Sequence, residues 1–366
     1  MNRREFLNGT AAVAGLGVGV TAFGQAPAQQ PAAPAPAQGR GGAGGGRGRG
    51  PAANATPAKL ARIEIMTLNH NNILKLPWQE ATPQRTLSIF DLPQYYVDTY
   101  GVRNVQFQSN HVCQDQDNPD MAYIRELRAK LDAAGSKANQ INIEIGTMAQ
   151  MNPQTGKAEA LAGDARAAWL ARAKKWVDFS PTLGVTALMH NQGALTDDSK
   201  AGVTALWKEL QDYATPKGVM ISGETRGGGP PSANQGRGGP GGQAGQAGAP
   251  VTPPPAATPA PAMSEKERIR YVYGILMDCM TASGGYTNLD FGGDTRFKDQ
   301  QQLHDAIKIM MPRNSGGMHT RVSPTWDLGT AIKYAESIGF KGRYAIEVND
   351  DAAVRIVYNV IVANLA

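Results

Sequence analysis

Four apolar runs in the second half of the chain each end on an ionisable residue. The runs are "VMISGE", "YTNLD", "GGMH" and "RYAIE", and their last residues are Glu224, Asp290, His319 and Glu347. Short apolar runs bounded by turn residues are typical of buried strands. Because the carboxyl ends of neighbouring parallel strands meet on one face, we expect the four side chains to converge. Because an ionisable residue stands at the same position in four consecutive strands, the sequence predicts one shared site rather than four unrelated polar strand ends.

Three carboxylates and an imidazole in one place would need a cation. Closely packed carboxylates repel one another, and removing them from water costs free energy. A divalent ion offsets both effects. Three oxygen ligands and one imidazole suit a hard or borderline ion, with Mn²⁺ as the first choice and Mg²⁺, Co²⁺ or Zn²⁺ as alternatives. Around an octahedral ion, four protein ligands would leave two positions for a substrate that binds through two oxygens.

The elements that would carry these residues alternate along the chain. The β-rich runs end near Asn69, Gln108, Ile145, His190, Glu224, Asp290, His319 and Glu347. Between them, apolar residues recur at spacings of three and four, and several such segments end on Gly, which predicts helices. Residues 60–366 without an insert at 227–262 number about 271, near the usual size of one eight-fold barrel. The sequence therefore predicts an α/β fold, a (β/α)8 TIM barrel.

The remaining segments are predicted to lie outside the barrel. Residues 1–28 carry paired Arg3 and Arg4, a weakly apolar run and small residues before a cleavage site, which is the plan of a twin-arginine export signal. Residues 29–59 and 227–262 are rich in Ala, Pro, Gly and Gln, and are predicted to be a disordered linker and a disordered insert. The mature protein is therefore expected in the periplasm, without a stable membrane span after cleavage.

The net charge of +5 belongs to the segments outside the predicted barrel. Residues 1–59 hold six cationic residues against Glu5, and the insert adds Arg237, which leaves the predicted barrel at −1. A nucleic acid is therefore not expected as a partner, because a binding face on the barrel would need a basic surface.

The chain has two cysteines, Cys113 and Cys279, which lie far apart in the sequence. Their spacing matches no metal motif. A disulfide is compatible with an oxidising periplasm, but two separate buried thiols are the favoured prediction.

Five of these segments resemble the sugar phosphate isomerase/epimerase group of the xylose isomerase-like TIM-barrel superfamily. "LGVTALMH" is similar to that group's fourth strand, "GVMISGET" to the strand with the first metal Glu, and "NLDFGG" to the Asp strand. "GGMHTRV" resembles the His strand, and "FKGRYAIEV" the last strand with its Glu. The resemblance covers roughly residues 60–366 apart from the insert. It implies a metal set at Glu224, Asp290, His319 and Glu347.

The resemblance also implies a mechanism, and the sequence departs from the pattern of relatives in several places, among them the first strand, which matches no one characterised epimerase closely. In relatives that are epimerases, the first and last Glu act as bases on opposite faces of the substrate carbon, which assigns those roles to Glu224 and Glu347. The metal would stabilise an enediolate formed by proton abstraction next to a carbonyl. Gln106 stands where relatives often carry Glu, and Thr320–Arg321 stands where many have a Lys-Asp pair. These departures leave the substrate open.

Four further residues are predicted to bind substrate. They are His70, His111, His190 and Arg321. Each lies at or just after a predicted strand end, so its side chain could reach the rim of the barrel. The histidines could donate hydrogen bonds to sugar hydroxyls or help transfer a proton. For each of them, packing without a ligand role is the alternative.

The favoured hypothesis is a metal-dependent isomerase or epimerase acting on a small carbohydrate. Sugar phosphates are scarce outside the cytoplasm and the sequence shows no Gly-rich phosphate cradle with a Lys, so a non-phosphorylated keto-sugar is expected. A lyase or dehydratase acting on an oxidised glycoside or a cyclitol is the main alternative. An endonuclease-type phosphodiesterase and a non-catalytic sugar-binding barrel are less favoured. A homo-oligomer is left open.

Overall fold

The structure is a computed structural model, and it describes residues 50–224, 263–292 and 296–366. The predicted export signal at 1–28, the greater part of the predicted linker and the insert at 227–262 lie outside the described residues. The predictions made for those segments therefore stay predictions.

Eight parallel strands close into a barrel. The described strands are β1 (Ile63–Met66), β2 (Leu74–Lys75), β3 (Leu87–Ser88), β4 (Asn104–Gln108), β5 (Lys137–Ile143), β6 (Ala149–Met151), β7 (Ala158–Ala160), β8 (Ala187–Asn191), β9 (Met220–Glu224), β10 (Tyr286–Asp290), β11 (Asn314–Thr320) and β12 (Arg343–Ile346). The barrel runs β1-β4-β5-β8-β9-β10-β11-β12 and closes by pairing β12 with β1. Every barrel strand ends within three residues of its predicted end. The predicted TIM barrel is confirmed.

Helices follow the barrel strands and cover their outer faces. The described helices are α1 (Pro57–Leu60), α2 (Leu92–Tyr100), α3 (Ser109–Val112), α4 (Met121–Ala133), α5 (Gly163–Leu183), α6 (Asp197–Ala214), α7 (Glu265–Ser283), α8 (Gln300–Met310), α9 (Leu328–Ser337) and α10 (Asp351–Asn364). The α7 helix shows how sequence sets the bounds: Ser264 and Glu267 form a reciprocal capping box at its start. It ends at Gly284, whose φ of 77° is left-handed and favours glycine. Within the described residues, no helix is both long and apolar enough to span a bilayer.

Alternation along the strands divides the barrel into an apolar outer layer and a polar interior. Outward residues such as Phe107, Ile221 and Leu289 are fully buried within the hydrophobic core shared with the helices. Inside, Gln106 of β4 contacts His319 of β11, a strand on the far side of the barrel. The lumen beneath the strand ends is therefore lined by hydrogen-bonding groups rather than by aliphatic layers.

A hairpin that the sequence analysis did not predict follows β5. Strands β6 and β7 pair antiparallel, and Ala149 also bridges to Gly193 after β8. Asn152 shapes the turn, since its side-chain oxygen accepts hydrogen bonds from two following backbone N–H groups. Gly193 has φ 77°, and a Cβ at this position would lie 2.2 Å from the Ala149 carbonyl oxygen. The hairpin therefore packs against the loop after β8 through a contact that requires glycine.

The folded region begins earlier than the sequence analysis placed it. Residues 50–59, which the sequence predicts to be part of the linker, contact the last helix of the barrel. The Arg355 guanidinium donates to the Gly50 carbonyl at 2.9 Å, and the Tyr358 hydroxyl accepts from the Ala52 N–H at 3.2 Å. Lys59 donates to the Val362 carbonyl at 3.0 Å. Apart from Pro, the segment has no apolar residue larger than Ala, so its hydropathy gives no signal of these contacts, each of which joins a side chain to a backbone group.

Both cysteines are free and buried. Cys113 follows α3 and is 3 % exposed, while Cys279 lies within α7 and is fully buried. Burial is the main reason that the pKa of the Cys113 thiol rises to about 11. The favoured prediction of two separate thiols is confirmed.

Candidate metal centre

Three predicted ligands meet at the carboxyl ends of the strands. Glu224 is the last residue of β9, His319 lies near the end of β11, and Glu347 directly follows β12. The Nδ1 atom of His319 lies 2.6 Å from Glu224 Oε1 and 3.0 Å from Glu347 Oε2. One ligand atom from each residue lies within 4.8 Å of the others. The side chains of Glu224 and His319 are 2 % and 1 % exposed, and that of Glu347 is 14 % exposed.

Strand register explains why these residues converge. His319 pairs in register with Asp290 on one neighbouring strand and with Ala345 on the other. Glu347 extends the pairing between β11 and β12 by one residue, because its backbone N–H donates to the Thr320 carbonyl at 3.0 Å. The ligands are therefore mounted on hydrogen-bonded strand ends, which hold a site more firmly than loops do.

Asp290 lies beside the three-residue cluster and makes its own ion pairs. Its Oδ2 atom is 2.9 Å from Arg296 Nη1, and its Oδ1 atom is 3.3 Å from Arg321 Nη2. The Gly292 N–H also donates to Oδ1 at 2.6 Å. Burial raises the pKa of Asp290, although both arginines act in the opposite direction. Asp290 is thus a neighbouring carboxylate, and its role as a fourth ligand stays a prediction.

Two arginines belong to the site, and the sequence analysis named only one of them. Arg321 Nη2 bridges Asp290 Oδ1 and Glu347 Oε2, at 3.3 and 3.0 Å. Arg296 was missed, because it lies in the loop after β10 and its only signal is a basic residue six positions after Asp290. Its guanidinium also donates to the Asp290 carbonyl at 3.2 Å. Together they place two positive charges beside the carboxylates.

The pKa of His319 reflects opposing effects. Burial lowers it, while the charges and hydrogen bonds of Glu224 and Glu347 raise it, and the net result is a pKa raised to about 10. A proton on Nδ1 would therefore face two carboxylates, at 2.6 and 3.0 Å. A divalent cation can take the place of such a proton, because metal ligands bind in their deprotonated forms. Two carboxylates and one imidazole are a donor set that suits Mn²⁺ and its alternatives.

Two of the predicted substrate-binding histidines are buried and held neutral. His111 Nδ1 lies 2.7 Å from Thr67 Oγ1, and burial, with a smaller effect from Arg85, lowers its pKa to about 4. The His190 ring packs against Trp169 at an interplanar angle of 59°, with ring centroids 5.3 Å apart, and burial lowers its pKa to about 3. Among the described residues, neither ring nitrogen of His190 has a hydrogen-bond partner. Their role in substrate binding stays a prediction.

His70 takes part in a separate network around the start of α10. Its Nε2 atom lies 3.3 Å from Asp351 Oδ1, and its Nδ1 atom lies 3.1 Å from the Tyr96 hydroxyl. Tyr95 and Tyr100 also donate to the same Asp351 oxygen, at 2.7 and 2.6 Å. His70 therefore contacts α2 and α10, and its role in substrate binding stays a prediction.

Buried amides lie beneath the cluster, and the sequence marks only one of them, Gln106, as a departure from the pattern of relatives. They are Gln106, Gln140, Asn142 and Asn288, and each is 4 % exposed or less. Asn288 Nδ2 donates to Glu224 Oε1 at 3.2 Å, and Gln106 Nε2 lies 2.6 Å from His319 Nε2. A partial signal was available in "NVQFQ", where amides recur at every second position, and in the alternation of Gln140, Ile141, Asn142 and Ile143 within "KANQINI".

The barrel has counterparts among solved structures. A xylose isomerase domain protein from Planctomyces limnophilus superposes with a TM-score of 0.51 at 14 % identity, covering 83 % of this chain and 98 % of that one. A xylose isomerase-like TIM-barrel protein from Mycobacterium smegmatis, solved in complex with magnesium, gives 0.50 at 14 % identity, covering 85 % and 100 %. No family model matches the sequence, and no curated protein matches it. The comparisons show that this chain has the xylose isomerase-like TIM-barrel fold.

Proposed function

We propose that the protein is a metal-dependent sugar isomerase or epimerase that acts on a non-phosphorylated keto-sugar or a related carbohydrate. The observation that supports this most directly is the convergence of Glu224, His319 and Glu347 at the carboxyl ends of three barrel strands. Barrel enzymes of this type place their chemistry on that face.

In this proposal, Glu224, His319 and Glu347 hold one divalent ion, and Asp290 is the fourth carboxylate available to it. Mn²⁺ is the first choice for this ion. Mg²⁺ is the second ion to test, because the protein from Mycobacterium smegmatis that was solved in complex with magnesium has the same fold. Bound there, the ion would supply Lewis-acid polarisation of a substrate carbonyl. The three residues lie at or directly after the ends of separate strands, so they can keep their spacing when substrate arrives.

One of the two glutamates is proposed to remove a proton from the substrate, and the other to return one. Glu224 and Glu347 approach His319 Nδ1 from different strands, at 2.6 and 3.0 Å. One carboxylate would remove the proton next to the carbonyl and the other would return a proton on the opposite face, which inverts the carbon. Each carboxylate has two oxygens, so one can face the ion while the other acts as a base.

Arg296 and Arg321 are proposed to stabilise negative charge that develops on the substrate. Their guanidiniums pair with Asp290, and Arg321 also pairs with Glu347. Three carboxylates, two guanidiniums and one divalent cation, with a neutral His319, leave a single net positive charge at the site. Fixed positive charge in a buried site favours the transition state for proton abstraction.

The test is solvent-deuterium exchange across a panel of keto-sugars and 3-oxidised glycosides, with Mn²⁺ or Mg²⁺ added. Deuterium should enter at the carbon next to the carbonyl, and with a true substrate the epimer should accumulate. Release of an aglycone without epimer would replace the proposal with the lyase. Absence of exchange and of product across the panel with metal-loaded protein would contradict it.

A further inference from the structure

A chain of buried side chains joins two of the proposed ligands through the barrel interior. Its members, in order, are His319, Gln106, Asn142, Gln140, Asn288 and Glu224. Gln106 Nε2 lies 2.6 Å from Asn142 Oδ1, and Gln140 Nε2 lies 3.1 Å from the same oxygen. Gln140 Nε2 is 3.5 Å from Asn288 Oδ1, and Asn288 Nδ2 donates to Glu224 Oε1 at 3.2 Å. Since His319 meets Glu224 at 2.6 Å, the chain closes into a ring.

The ring gives His319 a defined partner on each nitrogen. Nδ1 faces the carboxylates of Glu224 and Glu347, while Nε2 faces the amide of Gln106 at 2.6 Å. A neutral imidazole binds a metal ion through one nitrogen and carries its proton on the other. A cation held between His319 and the two glutamates must therefore bind Nδ1, which leaves the proton on Nε2.

That Nε2 proton needs an acceptor, because the His319 side chain is only 1 % exposed and leaving a hydrogen bond unmade in a buried site costs free energy. The Gln106 amide can supply one, since half a turn about its last side-chain bond exchanges the NH2 group and the oxygen in place. Asn142, which lies 2.6 Å from the same position, would then present its own NH2 group to the Gln106 oxygen. Gln140, which donates to Asn142 at 3.1 Å, would turn as well so that its oxygen accepts from that NH2 group, and its 3.5 Å bond to Asn288 would be lost.

We infer that Gln106 is a positioning residue for His319, whose amide oxygen accepts the Nε2 proton and so directs the Nδ1 lone pair to the metal ion. The inference rests on the metal site of the proposed function. Partners that orient a metal-binding histidine in this way typically change metal affinity by 10- to 100-fold when they are removed. Gln106 would act through His319, without touching the substrate.

The test compares Zn²⁺ binding to the full chain and to three variants by competition with a chelating dye. Gln106→Met keeps the length of the side chain and removes the acceptor, so its Kd should rise about 10- to 100-fold. Gln106→Glu restores an acceptor and should bind Zn²⁺ at least as tightly as the wild-type chain. Gln211→Met makes the same change at a buried amide on α6 that bonds Thr215 and Ile221, and should bind like the wild type.

A second readout separates positioning from packing. In ¹⁵N-histidine NMR spectra of the Zn²⁺-loaded protein, the His319 signals, assigned by their loss in His319→Asn, should show a protonated Nε2 and a metal-bound Nδ1 in the wild type and in Gln106→Glu. Wild-type Zn²⁺ binding with an unchanged Kd in Gln106→Met, or binding through Nε2, would overturn this inference alone. A wild-type chain that binds no divalent ion would overturn the proposed metal site and this inference together.

Discussion

At the level of single residues, the site consists of charged side chains that are largely buried away from solvent. Glu224 and His319 are almost fully buried, and the contact between them is 2.6 Å long. Attraction over such a distance is strong at low effective dielectric, and so is the penalty for leaving either group unpaired. Each ligand therefore depends on the others, and removing one should disturb the site more than the fold.

The variant Glu224→Gln tests that dependence. It keeps the shape of the side chain and removes the negative charge, so we expect metal binding to weaken by at least about 10-fold and turnover to be lost. Folding should be preserved, which circular dichroism and thermal unfolding would check. Glu209→Gln is the matched control, because Glu209 pairs with Arg166 and Lys174 on the helix surface. Normal turnover in Glu224→Gln would contradict the assigned role.

His190 predicts how stability depends on pH. Its folded-state pKa of about 3 lies below the value near 6.5 expected in the unfolded chain. The unfolded state therefore binds more protons below pH 6.5, and the free energy of unfolding falls as pH falls. Between pH 7 and pH 5 this one residue should contribute a loss of about 2 kcal/mol.

The variant His190→Phe keeps a ring on Trp169 and removes the titrating group. Its loss of unfolding free energy from pH 7 to pH 5, measured by urea unfolding, should be smaller than the wild-type loss by about 2 kcal/mol. His304→Phe is the control, since His304 is only partly buried and also contacts an aromatic ring, that of Tyr334. Equal pH dependence in His190→Phe and the wild type would contradict this account.

At the scale of elements, hydrophobic periodicity was sufficient to predict the barrel. The strand ends at Gln108, Glu224 and Asp290 are those predicted, because apolar runs and the turn residues after them mark a strand end locally. The same local signals placed Glu224, His319 and Glu347 at one face, where the structure brings them together.

The elements and residues that were missed depend on contacts between distant parts of the chain. The β6–β7 hairpin is three residues on each side and is fixed partly by its bridge to Gly193. Arg296 reaches Asp290 from a loop, and its sequence position carries no periodic signal. Gln106 looks like a polar residue in a strand until the barrel closes and brings His319 to it.

The hairpin gives a prediction at this scale. Gly193→Ala would place a Cβ 2.2 Å from the Ala149 carbonyl oxygen at a left-handed φ, so it should lower the free energy of unfolding by roughly 2–4 kcal/mol. Gly218→Ala is the control, because Gly218 has φ 70° with nothing within 4 Å of its Cβ. It should cost about 1–2 kcal/mol. If urea unfolding gave the same loss of unfolding free energy for both variants, the close contact between Gly193 and the hairpin would be contradicted.

At the scale of the whole molecule, the chain separates a near-neutral barrel from basic segments outside it. The paired Arg3 and Arg4 predict export of the folded protein by the twin-arginine route, so the metal could be loaded before export. A double variant, Arg3→Lys with Arg4→Lys, should leave the precursor in the cytoplasm when the cell is fractionated. Arg47→Lys with Arg49→Lys, in the basic stretch farther along, should be exported normally. Mature periplasmic protein from the Arg3/Arg4 variant would contradict the prediction.

Glu224, His319 and Glu347, with Asp290 beside them, are proposed to hold one divalent ion. The most direct measurement is anomalous X-ray diffraction from crystals of the full chain grown with Mn²⁺, collected on either side of the manganese absorption edge. We expect one strong anomalous peak within bonding distance of a carboxylate oxygen of Glu224, a carboxylate oxygen of Glu347 and Nδ1 of His319. Manganese bound elsewhere, or His319 still bonded directly to both glutamates at saturating Mn²⁺, would contradict the claim.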